Sequence, residues 1–404
     1  MRSQIVKSLI MGGSFRQPKT PPQYLWVYLN FVDDPTTSIT VTYHKVKEAD
    51  TLKVEYREEN TSTWFDSDVP DVRDFQNENI DICHCAISGL APGTVYEFRL
   101  GDGVEIGSLS SIFKFKTMPA SIGSGIRGAF GGDFQDGPAR WQRMTDLVQA
   151  YKPSFFVVAG DWVNDDGNLQ LSFRWVDFWR TMWFRMINSD GIMIPFVAGV
   201  GNHECKHQVN MSRFFFTDMF AFPNEGVHEF YGTIDIGDYM SLICLDSEID
   251  TVANQNIYLQ NTLSARQSVK YRVPYYHRPL FPSDRGSYTT FQSWFFTMFD
   301  DGMRAGFCGH DHTFKKSFEI VKDLSDERNA RPKVGEETGF IEFGDGGLGT
   351  KYYTGQLHGE WYIDKSGLNF SHVSIVDFRN SEIEVNTINQ NNKLVESTII
   401  DTSI

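Results

Sequence analysis

The chain has 404 residues, 41% of them hydrophobic and 22% charged. That length exceeds one ordinary core and argues for two domains, while an aromatic content of 14% argues against disorder. With 37 basic against 52 acidic residues the net charge is −15, so nucleic acid and anionic lipid are not default partners, although bound cations would reverse the field at a small phosphate site.

Five cysteines, Cys83, Cys85, Cys205, Cys244 and Cys308, make no even disulfide framework. Cys83-His84-Cys85 reads as a strand with one face buried rather than as a metal motif. No apolar run is long enough for a membrane span, and the N-terminal apolar stretch is too short for a signal peptide. These features favour the cytoplasm or an assembled particle over ordinary secretion.

Residues 1–22 read as an arm, and Gln17-Pro18-Lys19-Thr20-Pro21-Pro22 favours extended chain. Residues 23–119 read as an all-β domain with strands at Leu25–Phe31, Ser38–Tyr43, Leu52–Tyr56, Ile80–Ile87, Val95–Leu100 and Ile112–Lys116. Within it, Leu90-Ala91-Pro92-Gly93-Thr94-Val95-Tyr96 resembles the tyrosine corner of fibronectin type III domains, with Tyr96 at the corner. Tyr43 stands where many members of that family have a core Trp. An unrelated sandwich is the alternative. Residues 120–125 are small and read as a linker.

From residue 126 to 404 the pattern changes to strands alternating with helices, as in an α/β layered domain. Strand Ile126–Gly131 precedes helix Pro138–Tyr151; Phe155–Ala159 precedes Leu169–Met186; Ile194–Val200 precedes Met211–Phe222. Further strands fall at Met240–Leu245, Val269–Tyr275, Ala305–Cys308 and Gly339–Phe343, and the tail from His372 is again strand-like.

Several strands end in a short loop with a metal-competent side chain. Gly132-Asp133, Gly160-Asp161, Gly201-Asn202-His203-Glu204, His277 and Gly309-His310-Asp311-His312 each follow an apolar strand. Ligands of open α/β sheets bind beyond the carboxyl ends of strands, and a preceding glycine lets the backbone turn sharply. One such loop is a weak signal. Five in this order point to a site for two cations.

These blocks resemble the metallophosphoesterase, or calcineurin-like, superfamily, and the added β domain makes the purple acid phosphatases its nearest branch. The resemblance implies an N-terminal β-sandwich joined to a four-layer α/β domain, in which two packed sheets are flanked by helices. It implies two Fe, Mn or Zn ions and no organic cofactor. Asp133, Asp161 and His312 would bind the first ion, and Asp161, Asn202, His277 and His310 the second. Asp161 would bridge the pair, because two dications need a carboxylate between them. Water held by the ions is nucleophilic near neutral pH. His203 would contact phosphate and protonate the leaving group, and Arg278 is a further candidate for phosphate contact.

Two departures bear on the first ion. Purple acid phosphatases carry Tyr three residues after the bridging Asp, where this chain has Asn164; other superfamily members have Asp-x-His where this chain has Asp133-Phe134-Gln135. Gln135 or Asn164 would have to supply an amide oxygen, or water fills the gap, and the protein is expected to be colourless. His207, His228 and His358 read as surface or structural histidines. Trp175–Phe184, apolar around most of its helix, reads as a buried helix, with a partner-docking face as the alternative.

The expected activity is hydrolysis of small phosphate esters, monoesters first, in the manner of an acid phosphatase. A phosphodiesterase or nucleotide hydrolase is the alternative within the same chemistry. From another class comes a virion or surface assembly protein, docked through the fibronectin-like domain or as a homo-oligomer.

Overall fold

The computed structural model describes residues 22–75, 77–107, 112–135, 137–205, 215–223, 230–250, 252–286, 288–323, 325, 329–335, 337–351 and 359–403. His207, His228, His358, most of the arm and the first residues of the helix expected at 211–222 lie outside them.

Eight strands are described before residue 120: β1 (Tyr24–Asn30), β2 (Ile39–Val46), β3 (Val54–Glu58), β4 (Phe65–Asp66), β5 (Asp71–Phe75), β6 (Ile80–Ile87), β7 (Val95–Leu100) and β8 (Phe113–Lys116). The alternation in β7 buries Tyr96, Phe98 and Leu100, while Glu97 and Arg99 pair across the outer face with Arg57 at 2.7 Å and Glu55 at 2.6 Å. Tyr96 Oη accepts the Ala91 amide at 2.9 Å, so the tyrosine corner forms. Tyr43 is fully buried, and its hydroxyl donates to the Leu52 carbonyl at 2.7 Å and accepts the Leu52 amide at 2.8 Å. That bond keeps a polar tip satisfied inside the sandwich.

Fifteen more strands follow: β9 (Ile126–Gly131), β10 (Phe155–Ala159), β11 (Phe196–Gly199), β12 (Gly232–Ile236), β13 (Met240–Leu245), β14 (Tyr271–Tyr276), β15 (Ala305–Cys308), β16 (Phe314–Ser317), β17 (Ile320–Lys322), β18 (Ala330–Pro332), β19 (Ile341–Asp345), β20 (Ile363–Gly367), β21 (His372–Phe378), β22 (Glu382–Asn389) and β23 (Leu394–Asp401). One sheet runs β23-β22-β21-β9-β10-β11-β1-β2-β6-β5, and a second runs β12-β13-β14-β15-β19-β16-β20. Asn30 of β1 registers with Phe196 of β11, so a sheet of the N-terminal sandwich continues into the α/β domain. The tail strands complete the other side of that sheet, with β21 antiparallel to β9.

The two sheets of the α/β domain pack face to face, with Phe130 stacked on Phe307 at 4.0 Å. Period-two alternation divides each strand between two layers. In β13, Leu242 and Cys244 join the core between the sheets, whereas Ile243 and Leu245 pack with Leu259 and Leu263 of helix Val252–Ala265 and Trp294 of helix Gln292–Asp300. Helix Pro138–Tyr151 buries Trp141, Met144 and Val148 against the first sheet. The result is helix, sheet, sheet, helix.

The structure limits one expectation and corrects another. The run Trp175–Phe184 is buried on one face, through Trp175, Phe178, Trp179, Met182 and Trp183, while Asp177 and Arg180 form an exposed pair at 2.7 Å on the other. Its buried face docks within the chain, with Trp179 stacked on Tyr28 of β1 at 3.8 Å. β6 is buried on both faces rather than one. Cys83 and Cys85 face the sandwich core, and His84 faces the α/β domain, where its Nε2 donates to the Asp218 carbonyl at 3.1 Å. All five cysteines are free and buried. No helix among the described residues is long and apolar enough to cross a membrane.

Candidate metal centre

Parallel strands β9, β10 and β11 in one sheet and β14, β15 and β19 in the other deliver the site, because their carboxyl ends open on the same cleft. Asp133 follows β9, Asp161 follows β10, Asn202 and His203 follow β11, His277 follows β14, and His310 and His312 follow β15. The intervening glycines are required by space. A Cβ on Gly160 would lie 2.5 Å from the Gly201 nitrogen, one on Gly201 2.3 Å from Asp161 Oδ1, and one on Gly309 2.6 Å from Asp133 Oδ2. Asp133, Gln135, Asp161, Asp166, His310 and His312 all adopt left-handed backbone. Asp tolerates that region, but for Gln135 and the histidines it is a local strain of the kind that gathers at functional sites.

Two ligand groups emerge. In one, Asp133, Asp161 and His312 bring donor atoms within 4.8 Å of one another. Asp133 is fully buried, yet its Oδ1 accepts no hydrogen bond, and His312 Nε2 stands 3.1 Å away. In the other, His277 Nε2 lies 3.2 Å from Asn202 Oδ1, 3.2 Å from His310 Nδ1 and 3.4 Å from Asp161 Oδ1. His277 Nδ1 donates to the Ala159 carbonyl at 2.8 Å, which frees Nε2 as the ligand nitrogen. Donors about 2.1 Å from a tetrahedral zinc-like ion stand about 3.4 Å apart, so both clusters fit a cation. Asp161 belongs to both.

The charges agree. Burial alone would raise the Asp161 carboxyl, but His277 and His203 hold it well below the usual carboxylate range. Burial would lower His277, and Asp161 instead raises it to about 10. Burial and the neighbouring positive His277 push His310 far below its ordinary value. A proton on His277 therefore stands in for positive charge that the carboxylates demand.

Residues 25–117 match the model of the purple acid phosphatase N-terminal domain, and residues 129–314 match that of calcineurin-like phosphoesterases. The chain joins these two domains. Its fold is shared with the purple acid phosphatase PPD1 from yellow lupin (Lupinus luteus) seeds, at a TM-score of 0.75 and 16% identity, over 94% of this chain and 74% of that one. It is also shared with PhoD, at a TM-score of 0.68 and 12% identity, over 95% and 94%. No curated protein matches the chain in sequence.

Within this phosphoesterase cleft, two carboxylates escape a reading of the sequence. Asp166 Oδ1 bonds His203 Nδ1, which leaves Nε2 turned toward Asp161, 3.9 Å from its Oδ2. The signal for it is an acid five residues beyond Asp161, in Asp165-Asp166-Gly167. Glu204 is buried and accepts the amides of Asp161 at 2.9 Å, Trp162 at 2.8 Å and Gly201 at 2.8 Å. It clamps the β10 loop to the β11 loop. Its carboxyl is raised well above its ordinary value by burial, then by Asp161 and Asp165.

The remaining candidates divide. Gln135 reaches the first group but turns its amide nitrogen to it, 2.9 Å from Asp161 Oδ2. Asn164 lies on the loop after Asp161, where its carbonyl accepts a bond from Arg174. Arg278 is paired with Glu248 at 2.9 Å, and its Nη1 lies 3.1 Å from His310 Nε2.

Proposed function

We propose that the chain hydrolyses small phosphate esters, monoesters first, with two divalent ions held by Asp133, Asp161, Asn202, His277, His310 and His312. The observation that carries this reading is Asp161, whose two oxygens face the two ligand groups, Oδ1 toward His277 and Oδ2 toward Gln135 beside His312. When bound, such ions neutralise phosphoryl oxygens and make a water acidic enough to attack phosphorus in line.

The remaining chemistry belongs to the chain. His203 is 23% exposed at its side chain and is fixed through Nδ1 by Asp166, so Nε2 is the atom that can hand a proton to the leaving oxygen. Asp166 balances the imidazolium that this transfer needs. Arg278 puts a partly exposed guanidinium beside His310, where a phosphate oxygen can be met, with Glu248 orienting it.

Metal content and p-nitrophenyl phosphate hydrolysis, measured together on the wild-type chain and on Asp161→Asn, test the proposal. About two ions per chain with turnover abolished by the substitution supports it. Wild-type protein that takes up no Mn, Fe or Zn and shows no turnover overturns it.

A further inference from the structure

We propose that Gln135 and Thr350 form an amide lock on the first metal position, so that this position fills after the second and more weakly. The inference rests on the metal-dependent reading above and concerns how this chain regulates that site.

The lock follows from which groups can donate. Thr350 is buried and its amide is fixed to the Asp133 carbonyl at 3.0 Å. Its Oγ1 lies 3.2 Å from His312 Nδ1 and donates to Gln135 Oε1 at 2.7 Å. The hydroxyl also lies 3.5 Å from His312 Nε2, which places it beside the ring and off the Nδ1–H direction, so its firm bond is the one to Gln135. An amide oxygen only accepts, so the hydroxyl gives its proton to Gln135 Oε1. The amide oxygen is thereby engaged away from the ligands. What Gln135 turns to them is Nε2, 2.9 Å from Asp161 Oδ2 and 3.1 Å from His312 Nε2.

An amide nitrogen only donates, so it cannot ligate an ion. It instead satisfies the two ligand atoms that an ion at the first position needs. Turning the amide over would bring Oε1 to the ion, but the Thr350 hydroxyl proton would lose this acceptor. Among Asn202, His277 and His310 the comparable donor is the His277 proton, which an ion can displace, whereas an amide proton is not released. Backbone geometry keeps Gln135 in place: its φ is 44°, and its amide bonds the Asp161 carbonyl at 3.3 Å.

The test is calorimetric titration of the metal-free full chain with Mn²⁺ alone, on the wild type, Gln135→Ala, Thr350→Val and the double variant. Thr350 could also act only by orienting His312, and in that case its loss weakens the first position equally with or without Gln135. The cycle separates the two roles. The lock predicts that Thr350→Val tightens the first position, relative to its effect in the Gln135→Ala background, by roughly three- to tenfold. The second position should be unchanged. Equal effects of Thr350→Val in both backgrounds, or a larger loss when Gln135 is present, overturn the lock while leaving the metal reading intact. Absence of Mn²⁺ binding in all four proteins overturns the metal reading and the lock together.

Discussion

His84 of β6 donates through Nε2 to the carbonyl of Asp218 at 3.1 Å, and with that bond the N-terminal sandwich caps a helix of the phosphoesterase domain. The last carbonyls of a helix lack partners within it. In Phe215–Met219 three consecutive ones are met from the sandwich: Thr217 by Arg73, Asp218 by His84 and Met219 by the Tyr28 hydroxyl. The two domains are thus joined by hydrogen bonds as well as by the shared sheet.

This junction should be sensitive to acid. Burial lowers His84 to about 4, with Arg73 adding to the shift, and lowers His44 to about 3, with His84 adding. Both folded values lie below the ordinary 6.5. The stability these residues contribute is therefore complete above about pH 6.5 and is lost as pH falls toward 4 and then 3, at about 1.4 kcal/mol per unit for each group. Thermal unfolding between pH 7 and 4, taken as about the practical range, should show a falling midpoint. His84→Gln, which keeps a neutral donor, should flatten that slope; an unaltered slope would rule this assignment out.

Asp166 should matter to turnover and not to metal loading. Asp166→Asn removes the carboxylate that holds His203 Nδ1 while leaving every candidate ligand in place. The expected result is a fall in kcat of roughly ten- to a hundredfold with metal content unchanged. Loss of metal in this variant would mean that Asp166 shapes the ligand loop instead.

Glu204 should govern stability. Glu204→Ala strands the buried amides of Asp161, Trp162 and Gly201. An unpaired buried donor costs about 1–3 kcal/mol, so urea unfolding should report a loss on the order of 3 kcal/mol or more. A loss under about 1 kcal/mol would show that water replaces the carboxylate.

Asn164 should leave the protein colourless. It cannot supply the phenolate whose charge transfer to iron colours purple acid phosphatases, so iron-loaded wild type should lack a visible band of that kind. Asn164→Tyr tests whether this position reaches the iron. A purple wild-type protein would require a tyrosine ligand from elsewhere in the chain.

Much of the candidate site is legible in the amino-acid sequence. Strands Phe155–Ala159 and Ala305–Cys308 have the expected limits, because continuous apolar runs ending at glycine leave few choices, and helix Pro138–Tyr151 has them because it opens on a proline and carries its apolar residues at helical spacing. β4 and β5 give no such signal. Phe65 and Asp66 are both exposed, and Asp71–Phe75 buries only its last residue, so neither strand carries an apolar alternation.

Sequence alone determined which residue types stand after which strands, and so the order of the ligand loops, because local glycine turns and apolar strands are encoded within a few residues. Tertiary structure decided what meets across distance. The register of Asn30 with Phe196, the bond from Asp166 to His203 and the capping of Asp218 by His84 join segments whose pairing no local pattern specifies. It also decided which end of the Gln135 amide faces the ligands, since the amide oxygen is held by Thr350, 215 residues away.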